Sequence, residues 1–203
     1  MKLYYSSGAC SLAPHIAARE AGVAFSLVKV DLTTHKLVEG GADYYAISPR
    51  GYVPLLEFDD GSRHTEAAAL LQYLGDQDKD HVLLPAYGSK ERLTVIEWLT
   101  YVSTELHKGF APLWKKETPE AMRQIVRDNL AKRFAEVDAV LEKNAFLTGA
   151  NFTVADAYAF TIINWTNFLG LSLNAYPHLQ AYMARVAARP AVQEALRAEG
   201  LAK

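Results

Sequence analysis

Hydrophobic and polar positions follow two different rhythms in the two halves of the chain. Up to Gly75, short strand-like runs alternate with short helix-like ones. Lys2 to Ser6 is short and aromatic, as a first or edge strand is. Ser7-Gly8-Ala9 breaks it, and Ser11 through Gly22 predicts a helix with Leu12, Ile16 and Ala17 on one face. Phe25 to Asp31 predicts a second strand, followed by a polar, Gly-rich connection from Thr33 to Arg50. The run from Tyr52 to Phe58, then Asp59-Asp60-Gly61, then Ser62 to Thr65, predicts a hairpin, because an Asp-Gly step joins two strand-like segments. Glu66 to Leu74 predicts a compact helix closed by Gly75.

Residues 76–89 gather Asp, Pro and Gly as a linker does, and after them strand signals stop. Leu93, Ile96, Leu99, Val102, Leu106 and Phe110 form one helical stripe. Thr118-Pro119-Glu120 opens a second helix, with Thr118 as N-cap and with apolar positions at Met122, Ile125, Leu130, Phe134, Val137 and Leu141. Thr153-Val154-Ala155-Asp156 has the spacing of a capping box and opens a third, and Pro177 and Pro190 mark two shorter helices. The order of the first half, β-α-β, a connection, then β-β-α, is that of the thioredoxin fold, although periodicity alone leaves other small α/β domains open. The expected architecture is therefore an α/β thioredoxin-like N-terminal domain (βαβ-ββα) at 1–77, followed by an all-α helical C-terminal domain at 88–203.

Composition narrows the function classes. Half of the 203 residues are hydrophobic and 22% are charged, an ordinary globular balance. No apolar run approaches the ~20 residues of a membrane span. Met1-Lys2-Leu3-Tyr4-Tyr5 is too short and too aromatic for the core of a signal peptide, so a cytoplasmic protein is expected. Net charge is -2, and neither half concentrates the basic residues that nucleic-acid binding requires. With a single cysteine, Cys10, neither an internal disulfide nor a thiolate zinc cluster can form, and the histidines show no ligand spacing, so no metal is expected.

Four places carry candidate chemistry. A lone cysteine is ordinarily an inert buried hydrophobe. Cys10, however, falls at the junction of the first strand and helix, where the helix macrodipole favours a thiolate and predicts a pKa below the ~8.5 of a free cysteine. Val53-Pro54 opens a strand, and a cis proline there would free the backbone of Val53 to pair with a bound peptide. Glu66 stands before a helix, where a carboxylate either offsets the helix dipole or binds a ligand ammonium. In the first helix of the second half, Thr100, Ser103, Thr104 and His107 stand at i, i+3, i+4 and i+7 and share a polar face.

The ordered set Ser7 to Leu12, Ser48-Pro49-Arg50-Gly51-Tyr52-Val53-Pro54, Asp59-Asp60-Gly61, Thr65-Glu66 and Tyr73-Leu74 resembles the glutathione transferase family over essentially the whole chain. Cysteine in place of the usual Tyr or Ser, with Thr104-Glu105-Leu106-His107-Lys108-Gly109-Phe110, points to the bacterial beta class. Phe152 to Tyr158 and Arg189 to Gln193 also fit. The resemblance implies Cys10 and His107 as catalytic residues. It implies glutathione contacts from His35 (or Lys36), Val53, Pro54, Glu66, Ala67, Thr100, Thr104, Glu105 and Leu106, and an aromatic pocket wall at Trp165. Ala67 stands where Ser is frequent, Thr100 where Asn is, and Ser7 where Pro is. The implied protein is a homodimer with glutathione as co-substrate, no other cofactor, and a small hydrophobic electrophile as second substrate. With cysteine at the site, thiol–disulfide exchange stands beside conjugation, and a silent binding protein of the same fold is the remaining alternative.

Overall fold

A computed structural model describes residues 1–202, so Lys203, the last residue of the expected helical domain, lies outside the described residues. The chain order is β1 (Lys2–Tyr5), α1 (Leu12–Glu20), β2 (Ser26–Asp31), β3 (Lys36–Leu37), a 3₁₀ turn (Tyr44–Ala46), β4 (Leu55–Glu57), β5 (Arg63–Thr65) and α2 (Ala67–Gly75). Helices follow: α3 (Lys90–Tyr101), a wider-wound π segment (Val102–His107), α4 (Lys108–Phe110), a 3₁₀ turn (Ala111–Trp114), α5 (Glu120–Leu141), α6 (Val154–Ile163), α7 (Trp165–Leu169), α8 (Pro177–Ala187) and α9 (Pro190–Ala198).

The strands form one mixed sheet in the order β3-β2-β1-β4-β5. β1 runs parallel to β2, with Leu3 opposite Leu27, and antiparallel to β4, with Leu3 opposite Leu56. The β4–β5 hairpin is present, with Leu56 opposite His64. Two elements were not legible in the polar connection: the edge strand β3, and the 3₁₀ turn, whose first residue Tyr44 is fully buried. Both are too short for a hydrophobic pattern to repeat within them.

α6 is buried along its whole length, as a helix apolar on every side must be. Its N-terminus is closed by Asp156, which accepts from the Thr153 N–H at 2.8 Å and the Thr153 hydroxyl at 3.0 Å. The carboxylate also accepts from the Leu147 N–H and the Tyr182 hydroxyl. The expected capping box is thus a hub for three segments. α1 packs against both α6 and α9, so the helical half sits directly behind the strand-to-helix turn that carries Cys10.

The helical stripes need correction at their ends. Val95, not Leu93, faces the core of α3, and Leu93 is 58% exposed. On α5 the buried set begins at Val126, leaving Met122 and Ile125 half-exposed, and the helix starts one residue later than predicted, with Pro119 as N-cap. No helix among the described residues is long and apolar enough to cross a membrane.

Candidate active site

Cys10 precedes α1 in a tight turn closed by Ala9 N–H to Ser6 C=O at 3.0 Å. Part of the residue reaches solvent, but the sulfur sits deep in protein. Its S–H donates to the Val53 carbonyl at 3.3 Å. The Val53-Pro54 bond is cis, as the sequence suggested, but the Val53 carbonyl is therefore not free.

The thiol is the main correction to the sequence reading. Loss of solvation pushes its pKa up to about 12, in place of the depressed value expected from the helix terminus. The favourable groups exist: the N–H groups of Cys10 and Ser11 and the charge of Lys108 all favour the thiolate, while Glu66 opposes it. Burial outweighs them, because a thiolate without water costs more than the first-turn donors return.

Glu66 occupies the residue before α2 with φ +70°, a left-handed conformation rarely held by a residue with a side chain. Such a conformation costs about 1–3 kcal/mol and persists where surrounding structure enforces it. The carboxylate does not cap α2; it is 73% exposed and meets Arg50 Nη1 at 3.2 Å. An ion pair so exposed contributes little to stability, which leaves the carboxylate available to a ligand. Beside it, Ala67 opens the helix, whose first N–H groups no intrahelical carbonyl can satisfy.

His35 also has positive φ, +51°, and its ring lies against Tyr45 at 4.5 Å with a buried Nδ1 that has no partner among the described residues. Gly51, at φ +67°, closes over it: a Cβ there would stand 2.8 Å from His35 Nδ1. Lys36 is exposed on the edge strand.

The polar face expected on α3 runs into the π segment and divides into exposed and half-buried positions. Thr100 and Thr104 stay exposed, with hydroxyls bonded back to the Ile96 and Thr100 carbonyls at 2.9 and 3.0 Å. Ser103 and His107 turn partly inward, and a π segment inside an α-helix recurs at functional sites. His107 Nδ1 lies 2.7 Å from the Tyr158 hydroxyl, and its ring meets Trp165 edge to face at 5.0 Å. Burial, aided by Lys108, lowers its pKa to about 4, so the imidazole is neutral at physiological pH. Burial also holds the Tyr158 phenol well above its usual value.

Three residues expected at the site are engaged within the protein. Leu106 is fully buried in the hydrophobic core, so its side chain cannot contact glutathione. Glu105 turns to Arg133 of α5 at 2.9 Å. Trp165 is 7% exposed, and its indole N–H is bound to the Gly8 carbonyl at 2.8 Å, making it a core residue joining the halves rather than an open wall. The half-exposed aromatics nearby are Trp114, edge to face with Trp165 at 5.5 Å, and Phe168, packed on Gly8. Their spacing in sequence carries no signal; only chain-distant packing brings Trp114 to Trp165 and Phe168 to Gly8.

Residues 8–77 match the glutathione S-transferase N-terminal domain and residues 96–190 the C-terminal domain. Glutathione S-transferase GstA of Escherichia coli O157:H7 is 48% identical, covering 99% of this chain and 100% of the relative. The solved ternary complex of BphK, a bacterial glutathione S-transferase, superposes with a TM-score of 0.96 at 47% identity, covering 99% of this chain and 100% of that one. The bacterial beta class glutathione S-transferase of Sphingomonas chungbukensis superposes with a TM-score of 0.94 at 42% identity, over 99% and 100% of the two chains. The two-part fold, the cysteine turn and the full-length likeness agree: the chain belongs to the glutathione S-transferase family and resembles its bacterial beta class.

Proposed function

We propose that this transferase conjugates glutathione to small hydrophobic electrophiles with Cys10 serving as a hydrogen-bond donor to the glutathione thiolate, not as a nucleophile. The carrying observation is the raised Cys10 pKa together with the S–H donation to Val53. A thiol that stays protonated near neutral pH does for the glutathione sulfur what a Tyr or Ser hydroxyl does. As the cysteinyl N–H of glutathione engages the Val53 carbonyl, the S–H turns to the glutathione sulfur. His107, neutral and partly buried, adds a polar edge that can hold or pass a proton without introducing charge. The electrophile lies against Trp114 and Phe168.

Glutathione enters with its γ-glutamyl ammonium on Glu66 and its carboxylate on the first N–H groups of α2. Its cysteinyl backbone pairs with Val53 beside Pro54, and its glycyl carboxylate meets the start of β3, at His35 or Lys36. Thr100 and Thr104 face the same cleft. Residues 1–77 form the glutathione domain and 88–203 the second-substrate domain. The enzyme works in the cytoplasm as a symmetric homodimer, without nucleic-acid or membrane partners and without metal or a further cofactor. Thiol–disulfide exchange through Cys10 is the weaker reading, since the thiolate is the reactive species and burial suppresses it.

Replacing the thiol distinguishes the two roles. Cys10→Ala removes a donor to a charged acceptor, about 1.5–3 kcal/mol, or roughly 10–150-fold in conjugation rate. Cys10→Ser, which keeps a donor, is expected to retain most of the rate. Equal losses in both variants, accompanied by a trapped glutathione adduct on wild-type Cys10, would overturn the donor role.

A further inference from the structure

The turn that carries Cys10 is gripped at Gly8 from the distant end of the chain. The Gly8 N–H donates to Glu199 Oε2 at 3.0 Å, and the Gly8 carbonyl accepts from Trp165 Nε1 at 2.8 Å. Gly8 has φ +72°, and a Cβ there would stand 3.1 Å from Phe168 Cζ, so both backbone conformation and close approach require glycine. Between Gly8 and Cys10 the chain has no slack. Ala9 N–H is held by Ser6 C=O, and the Ser11 hydroxyl bridges the Ser6 backbone, accepting from its N–H at 3.2 Å and donating to its C=O at 3.3 Å.

Glu199 is itself fixed from behind. Its side chain is fully buried, and its second oxygen lies 2.9 Å from His15 Nδ1, also fully buried. Arg19 Nε reaches His15 Nε2 at 2.9 Å, and Arg19 Nη1 reaches Glu194 at 3.1 Å. Arginine can only donate, so His15 Nε2 accepts and the ring proton sits on Nδ1, pointing at Glu199. A buried carboxylate is tolerated only where donors satisfy both oxygens. Gly8 N–H satisfies one and His15 the other. Apart from Phe168, which packs on Gly8, none of these contacts involves a group assigned to glutathione or to the electrophile.

We infer that Glu199 and Trp165 are positioning residues for Cys10: from the helical half they clamp the two faces of Gly8 and so fix the sulfur against the Val53 carbonyl. This rests on the reading of Cys10 as a working donor. A donor is effective only when its direction is set in advance, and the clamp sets it through backbone, without touching the thiol. It also makes the terminal segment around Glu199 part of the active-site scaffold.

Two near-isosteric variants test the clamp in the full-length enzyme. Glu199→Gln turns one acceptor oxygen into an NH₂, and Trp165→Phe keeps an aromatic ring while removing the N–H. Cys10 is the sole cysteine, so native-state alkylation by iodoacetamide reports on it alone. Each variant is expected to raise that rate about tenfold and lower kcat roughly fivefold, the scale of one lost hydrogen bond, with the KM for glutathione within about twofold. The fall in kcat should vanish when either variant is made in a Cys10→Ala background. Unchanged alkylation in both variants would overturn the clamp, as would a kcat loss of equal size with and without Cys10, which marks a general structural role. An unaltered kcat in Cys10→Ala alone would sink the reading of Cys10, while the alkylation rate would still decide the clamp.

Discussion

On the sheet side of Cys10, the groups that face the site are backbone features with an exposed charge beside them: the cis Val53-Pro54 bond, the left-handed Glu66 and the first turn of α2. On the helical side they are buried side chains packed on one another: His107 between Tyr158 and Trp165, and Trp165 bound to Gly8. The first kind of site is tolerant of side-chain identity, which is why Ala67 can stand where a serine is frequent. The second depends on packing, and its chemistry is set by exclusion of water: His107 is held neutral and Cys10 protonated by burial.

This contrast implies different responses to substitution. The largest is expected at Leu106, reassigned from a glutathione contact to the core: Leu106→Ala should cost about 2–5 kcal/mol of stability in chemical denaturation. A variant with native stability and weakened glutathione binding would restore the original assignment.

Acid should act through the helical side. The unfolded chain protonates His107 near 6.5, but the folded protein only near 4. Between these values the unfolded state binds more protons, so this contribution is full above pH 6.5 and is lost as pH falls towards 4. The total is on the order of 3 kcal/mol. Denaturant midpoints measured across this range should fall less steeply in His107→Gln; an identical slope would show that His107 is solvated.

Glu66→Ala is expected to leave folding intact and weaken glutathione binding by about 1.5–3 kcal/mol, the scale of a charge-assisted bond. Calorimetry with unchanged affinity would reverse the proposed orientation of the tripeptide. Smallest of all, Leu93→Ala should shift stability by less than about 0.5 kcal/mol, because the residue is exposed although the sequence stripe placed it inside. A multi-kcal loss there would mean that Leu93 is covered, as a dimer interface would cover it.

What was legible in the sequence follows the same division. The β4–β5 hairpin, the cis proline position, the Thr153–Asp156 cap and the placement of Cys10 all depend on short local signals, and they were readable. Glu66 was readable as a residue but not as a left-handed one. The π segment was invisible, because hydrogen-bond slippage leaves no mark on hydrophobic spacing, and it carries Ser103, Thr104 and His107 but not Thr100. The burial of the Leu106 and Trp165 side chains was not legible, because a motif gives order along the chain but not which side of a helix is covered. The Cys10 pKa failed for a related reason: the helix terminus is a local feature, whereas desolvation depends on everything packed around the sulfur.

The most direct test of this account is the titration of Cys10 itself. As the only cysteine in the chain, it gives an unambiguous thiolate absorbance and an unambiguous pH–rate profile for iodoacetamide in the glutathione-free protein. Little thiolate is expected near neutral pH, with a rise only towards the value of about 12 set by burial. A thiolate that forms with a midpoint below ~8.5, the value of a free cysteine, would contradict it and return Cys10 to the role of nucleophile.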